Sequence, residues 1–389
     1  MQKSLSSRSK LRVGVDMTVL AYNREGIGNF ITRMFGHIYR NPKHNEMIEW
    51  VYLTTKEVKL AQGFASGVRT AYRVAQAARK AECDVLLSTH SHLLPILFPK
   101  TIWLIHDLGP VIHPQLFGLT QGGFRSGLFR GLFRKAMQRT SLVVTTSETM
   151  AAEIRDFAEE KEVIALGSGL AREIHPPKLD SPEHKAVMKK YHLAAGNYFF
   201  SLNTISPRKN VDVILKGYIK LCQNLGYNNQ TRAKSLPDQP KLVISGKTGW
   251  DTATLFDMYR EAIARFPNLN LSVNVTFTGF IDSQQADSLM AGASALVYAS
   301  SYEGFGLSPL EAVAMNTEII ISDISVFREI YNGVGHFFTT FDADNLAEQM
   351  EAVLKGEKKL TRNRIDAILA KYNWQNVSEK LENAVLSAW

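Results

Sequence analysis

Ala295-Leu296-Val297-Tyr298 runs through Ala299-Ser300-Ser301 into Tyr302-Glu303-Gly304-Phe305-Gly306-Leu307 and on to Ser308-Pro309-Leu310-Glu311. The apolar run reads as a buried strand, and Leu310 to Met315 as the first turns of a helix. Between them lie two glycines, with two carboxylates eight residues apart. A strand, a glycine-bearing turn and a helix N-terminus make a place to hold an anion. The uncovered N–H groups of the first helical turn and the helix dipole both face the ligand there. Glu311 also invites a structural reading. Ser308-Pro309-Leu310-Glu311 fits a capping box, with Ser308 as N-cap, Pro309 at the first helical position and Glu311 closing the box.

The surrounding chain repeats the strand–turn–helix pattern. In the first half, strands are expected at Leu11–Asp16, Glu49–Thr54, Asp84–Ser88, Thr101–His106, Leu142–Thr146 and Val163–Leu166. Helices fall at Ile27–Tyr39 and near 67–82, 121–139 and 148–158. Residues 167–195 carry His175-Pro176-Pro177, Ser181-Pro182 and mixed charge, which places a domain boundary there. The second half resumes with strands at Tyr198–Leu202, Lys241–Ser245, Val275–Thr278, Ala295–Ala299, Glu318–Ile321 and Gly335–Phe338. Helices are expected near 209–224, 251–266, 283–292, 308–315, 325–331 and 343–354. The polar stretch Asn224–Pro240 reads as a surface loop and Arg362–Trp389 as helix. Such alternation argues for parallel βα units in two doubly wound domains. The expected division is 1–180, 196–370 and a terminal segment 371–389.

The chain of 389 residues is too long for one ordinary core. Its 45% hydrophobic and 21% charged residues belong to a globular protein rather than a disordered one. No apolar run approaches the roughly 20 residues that span a bilayer, and Met1–Lys10 lacks the apolar core of a signal peptide. The two cysteines, Cys83 and Cys222, lie far apart, which argues against a disulfide framework and a zinc site. A cytoplasmic protein is expected. The net charge of +8 points to an anionic partner. No zinc-finger, RNP-type or heptad signature favours nucleic acid.

Further candidates stand at strand ends. Arg208 and Lys209, in Ser206-Pro207-Arg208-Lys209-Asn210, would lie at the mouth of the next helix. Arginine can clamp a phosphate with two donors, and lysine can neutralise it as a point charge. Ser245-Gly246-Lys247-Thr248 resembles part of a phosphate loop but lacks the glycine that would complete the Walker frame. It reads as a glycine turn with a contact from Lys247. Gly26-Ile27-Gly28 opens a helix after the first strand, although Ile31 occupies the third glycine position of G-x-G-x-x-G. His106-Asp107 ends an apolar strand. In Gly122–Arg139, Phe124, Leu128, Leu132 and Phe133 share one helical face with Met137 beside them. Arg125, Arg130, Arg134, Lys135 and Arg139 take the other. That pattern fits a helix packed on its own sheet, or a surface resting on anionic lipid.

In their order along the chain, these segments resemble the retaining glycosyltransferases of family four. The resemblance rests on Gly26-Ile27-Gly28, Ile105-His106-Asp107-Leu108, Ser206–Asn210, Leu242–Lys247 and, most specifically, the E-x7-E frame from Glu303 to Glu311. It implies a GT-B fold: two Rossmann-like domains facing across a cleft, the C-terminal helix crossing back to the first. The first domain would meet the acceptor and the second the nucleotide sugar. By resemblance, Glu311 would bind the ribose and Glu303 the donor sugar. Arg208 and Lys209 would hold the diphosphate, helped by backbone N–H groups of the Gly304-Phe305-Gly306-Leu307 turn. Gly246 and Lys247 would border the donor. His106 would face the sugar near the reacting carbon, and the Gly26–Gly28 turn would close over the donor. Met315-Asn316-Thr317-Glu318 stands where the family commonly has cysteine-glycine-threonine-proline.

The implied reaction is transfer of a hexosyl residue to a glycan or polyprenyl-linked acceptor in cell-surface polysaccharide synthesis. GDP-mannose is the first donor to try, and neither metal nor cofactor is expected. The 121–139 helix would make the enzyme peripheral at the inner face of a membrane. A catalytically silent protein of the same fold, serving as a binding subunit, is the alternative.

Overall fold

A computed structural model describes residues 10–21, 26–41, 46–58, 60, 66–90, 97–117, 127–159, 161–174, 176–227 and 238–389. The chain forms two compact units. Unit 1 comprises Met1–Ile112, Thr120–Arg172 and Lys371–Trp389; unit 2 comprises His113–Leu119 and Glu173–Ala370.

Unit 1 holds six strands, β1 (Leu11–Asp16), β2 (Ile48–Leu53), β3 (Val85–Ser88), β4 (Thr101–Ile105), β5 (Leu142–Thr145) and β6 (Val163–Ala165). They form one parallel sheet in the order β2-β1-β3-β4-β5-β6. Every residue of β3, β4 and β5 is buried, as expected when helices cover both faces of a parallel sheet. Phe30, Ile31, Met34 and Ile38 of the helix Gly26–Arg40 pack on one face. Beside them lie Val377, Leu381, Ala384 and Val385 of the C-terminal helix Trp374–Ser387. Trp374 donates to the Leu170 carbonyl at 2.8 Å, which fixes the start of that helix on unit 1.

Unit 2 holds β7 (Tyr198–Leu202), β8 (Lys241–Ser245), β9 (Val275–Gly279), β10 (Ala295–Tyr298), β11 (Glu318–Ser322) and β12 (Gly335–Phe338). Their parallel order is β12-β11-β10-β7-β8-β9. The chain winds outward from β7 to β9, then returns to the other side of β7 and winds the opposite way. The crevice between β7 and β10 is therefore the topological switch point, where ligands bind in doubly wound sheets.

Three expectations change. Residues 167–195 contain a helix, Pro182–Lys190, capped by Ser181 and with His184 and Met188 buried. Mixed charge hid it because only two positions of one short stripe are buried. The C-terminal segment is two helices, Arg362–Lys371 and Trp374–Ser387. In the basic helix, described as Gly127–Arg139, Phe133 and Met137 are buried but Leu132 is 49% exposed. Leu132 lies about 100° around the helix from Phe133, off the stripe that reaches the sheet. Gly122, Phe124 and Arg125, the Leu128 side chain, His175 and the centre of the Asn224–Pro240 stretch lie outside the described residues. Among the described residues, no helix is long and apolar enough to cross a membrane.

Candidate active site

Two loops converge at the switch point of unit 2. After β7 the chain makes a 3-10 turn, Pro207–Lys209. Asn210 then takes a left-handed conformation (φ 47°) and opens the helix Val211–Asn224. Its side-chain amide donates to the Ala299 carbonyl at 2.8 Å, tying this turn to the end of β10. Ser301 N–H donates to the Arg208 carbonyl at 2.9 Å and completes the junction.

Glu303 lies at the centre. Arg208 Nη1 donates to Glu303 Oε1 at 2.8 Å and to the Tyr302 carbonyl at 3.0 Å. Lys209 Nζ donates to the same carboxylate oxygen and to the Tyr298 hydroxyl. Tyr298 in turn donates to Glu303 Oε1 at 3.2 Å. The side chains of Lys209 and Glu303 are 7% and 11% exposed. Burial by itself would raise the Glu303 pKa; the Arg208 and Lys209 charges outweigh it and hold the group at about 2. Burial, with Glu303 beside it, pushes the Tyr298 phenol well above its ordinary value, so it stays neutral. Two cations on one carboxylate leave a positive surplus in a mostly buried place. That surplus suits an anion.

The turn that follows presents backbone. Gly306 has φ 90° and begins the helix Leu307–Ala314 with no side-chain cap. A Cβ on Gly306 would meet Phe327 Cε1 at 2.6 Å, and the Gly306 carbonyl accepts from the Tyr331 hydroxyl. The capping box is thus not formed. Ser308 and Pro309 lie inside the first turn, because the glycine lets the helix start two residues earlier. Glu311 is on the body of this helix, four residues past its first residue, and 8% exposed.

Gly246 and Lys247 lie on the neighbouring loop after β8. Ile205 N–H donates to the Lys247 carbonyl at 2.9 Å, and Lys247 Nζ lies 5.0 Å from the centre of the Phe280 ring. A Cβ on Gly246 (φ 140°) would overlap the Asn203 carbonyl oxygen, at 1.7 Å. Loop crossing alone therefore requires that glycine.

Unit 1 gathers its candidates separately. Gly26 (φ 35°) opens its helix and Gly28 is buried in the first turn. The buried His106 ring lies 4.9 Å from Phe30 on that same helix, edge to face, and Phe30 lies 5.2 Å from Trp374. At the switch point of this sheet is a polar cluster that the sequence reading missed. Asp16 Oδ1 accepts from Thr18 Oγ1 at 2.7 Å, Thr18 Oγ1 lies 2.8 Å from His90 Nε2, and all three are buried. The available signal was Asp16 ending the apolar strand β1 and His90 two residues beyond the end of β3. Tyr298 was missed for the opposite reason: it reads as one more apolar residue of a buried strand.

A cavity of about 510 Å³ in unit 2 lies at the amino ends of β10 and β11, far along the strands from these cations. It borders Glu318, whose carboxylate accepts from the Lys359 and Leu360 N–H groups at 3.1 and 3.3 Å and lies 3.1 Å from His336 Nε2. The glutamate that departs from the usual proline thus anchors the loop ahead of the Arg362 helix.

Two Rossmann-like units of this topology define the GT-B class of fold, to which sugar-transferring enzymes belong. Residues 185–369 match the family described as glycosyl transferases group 1. Among curated proteins, the chain is 25% identical over 301 residues to O-antigen chain mannosyltransferase RfbU of Salmonella typhimurium, covering 77% of this chain and 72% of that one. It is 23% identical over 326 residues to O-antigen chain mannosyltransferase B of Escherichia coli, covering 81% and 78%. Among solved structures, HepE of Anabaena in complex with UDP superimposes with a TM-score of 0.66 at 16% identity, covering 97% of this chain and all of that one. The chain therefore has the GT-B fold and is similar to these glycosyltransferases over most of its length.

Proposed function

We propose that the protein is a metal-independent retaining glycosyltransferase. It moves a hexosyl residue, mannose from GDP-mannose being the first choice, to a glycan or polyprenyl-linked acceptor in cell-surface polysaccharide synthesis. The observation that carries this reading is the Arg208–Lys209–Glu303 cluster at the switch point of unit 2. Breaking a sugar–diphosphate bond yields an oxocarbenium-like sugar and a leaving group rich in negative charge. In this reading Arg208, Lys209 and the backbone N–H groups of the Gly304–Leu307 turn stabilise that charge. One such well-placed donor commonly contributes about 2.7–4 kcal/mol in the transition state. Glu303, anionic at all ordinary pH values, faces the sugar. Glu311 takes the ribose hydroxyls, Gly246 and Lys247 border the donor, the Gly26–Gly28 turn closes on it, and His106 serves the sugar near the reacting carbon.

The two O-antigen mannosyltransferases among the relatives support mannose and a polysaccharide product. The basic residues Arg130, Arg134, Lys135 and Arg139 on the exposed side of the Gly127–Arg139 helix support a peripheral place at the cytoplasmic face of a membrane. A panel of nucleotide sugars, read by thermal shift and by release of nucleoside diphosphate, tests the donor. Stabilisation and turnover with GDP-mannose alone are expected. A UDP-sugar as sole substrate would reject mannose transfer, and no response across the panel would favour a silent binding subunit.

A further inference from the structure

The described residues His113–Phe117 pack into unit 2, although Ile112 before them and the Gly127–Arg139 helix after them belong to unit 1. Their 3-10 turn, Pro114–Phe117, lies against the Pro207–Lys209 turn. The Phe117 ring centre is 5.2 Å from Arg208 Cζ. Phe117 also meets Tyr302 edge to face, with centroids 6.2 Å apart at 79°. His113 meets the same tyrosine ring at 5.4 Å and 69°. Tyr302 is 8% exposed, and its carbonyl accepts from Arg208 Nη1. The guanidinium is thus held at one edge by Tyr302 and Glu303, and a phenyl ring lies within cation–π range of it.

We propose that Phe117 is a positioning residue for Arg208, holding the guanidinium in the orientation that meets a diphosphate, with His113 and Tyr302 bracing the ring. The inference rests on the transferase reading of the same site. An arginine side chain has several rotatable bonds, and a cation held before the ligand arrives loses less freedom when it binds. The negative face of an aromatic ring attracts a guanidinium without competing for its N–H groups, which a carboxylate would do. Leucine fills similar space but carries no quadrupole. Because charge on the diphosphate grows as the sugar departs, losing this support falls more on kcat than on KM.

Three measurements on the 389-residue chain test the assignment. In nucleotide-free protein, the Arg208 side-chain N–H resonance, identified by its absence in Arg208→Lys, should be shifted upfield by the ring and should lose that shift in Phe117→Leu. An unshifted resonance in the wild type would overturn the stacking. With the donor found by the panel, Phe117→Leu should lower kcat about 2- to 30-fold, the range a cation–π contact supports. Phe117→Tyr should stay near wild type, and KM should move little. In an Arg208→Lys background, Phe117→Leu should cost less than about 2-fold, because the two residues act through one group. Unchanged turnover in Phe117→Leu, or losses that multiply in the double variant, would reject the assignment. A wild type with a ring-shifted Arg208 that turns over no nucleotide sugar would overturn the transferase reading and leave the stacking standing.

Discussion

Glu303 holds its proton far less readily than an ordinary carboxyl, and this has a consequence for stability. Its folded-state pKa, about 2, lies below the ordinary value of 4.5. The stability it contributes is therefore complete above about 4.5 and disappears as pH falls toward 2. Urea midpoints measured between pH 5 and pH 2.5 should fall in the wild type and fall less steeply in Glu303→Gln. At pH 7 that variant should be the less stable protein, since buried Lys209 and half-buried Arg208 lose their counter-charge. Equal slopes in the two proteins would place the cations elsewhere than the structure does. For catalysis, Lys209→Ala should reduce kcat by about 10²- to 10³-fold if Lys209 stabilises the leaving diphosphate. Glu311→Gln should weaken donor binding at unchanged melting temperature. A fall in melting temperature with donor affinity intact would make Glu311 structural.

At the scale of elements, the helix Leu307–Ala314 shows how a single glycine redirects a local pattern. Ser308-Pro309-Leu310-Glu311 has the residue types of a capping box, yet Gly306 in a left-handed conformation starts the helix ahead of it. Ser308→Ala should then change stability by less than about 0.5 kcal/mol, against about 1 kcal/mol for loss of a true N-cap. Gly306→Ala should destabilise by about 1–3 kcal/mol, because alanine strains this backbone region. Its Cβ would also run into Phe327. Thermal melts of the two variants distinguish these cases directly. Most elements were legible, since fully buried strands such as Thr101–Ile105 carry a continuous apolar run with a polar residue at each end of it. The Pro182–Lys190 helix was not, because its burial depends on packing against the Ser283–Ala291 helix about 100 residues later.

At the scale of the whole molecule, the last residues of the chain complete the core of its first unit. Val377, Leu381 and Val385 are 0–1% exposed among residues of β1, β3 and the Gly26–Arg40 helix. Leu381→Ala should destabilise by about 2–5 kcal/mol, as for other buried leucines. Hydrogen exchange should show the loss in the sheet of unit 1 and leave that of unit 2 protected. Protection lost in unit 2 alone would contradict this packing. The same long-range logic brings His113–Phe117 into unit 2, where Phe117 reaches Arg208. Neither arrangement has a sequence signature, since each side chain carries only the pattern of its own segment.

The sequence by itself determined the alternation of strands and helices, the two-unit plan, and the stations of Arg208, Lys209, Glu303 and Glu311 at strand ends. These follow from local period, glycine placement and the rule that polar groups end buried strands. Only the tertiary structure decided that Arg208, Lys209 and Tyr298 all meet one oxygen of Glu303, that Ser308 caps nothing, and that Phe117 lies within cation–π range of Arg208. Those outcomes depend on residues about 90 positions apart being brought within hydrogen-bond or ring contact. Strand order sets such distances, and no window of sequence contains it.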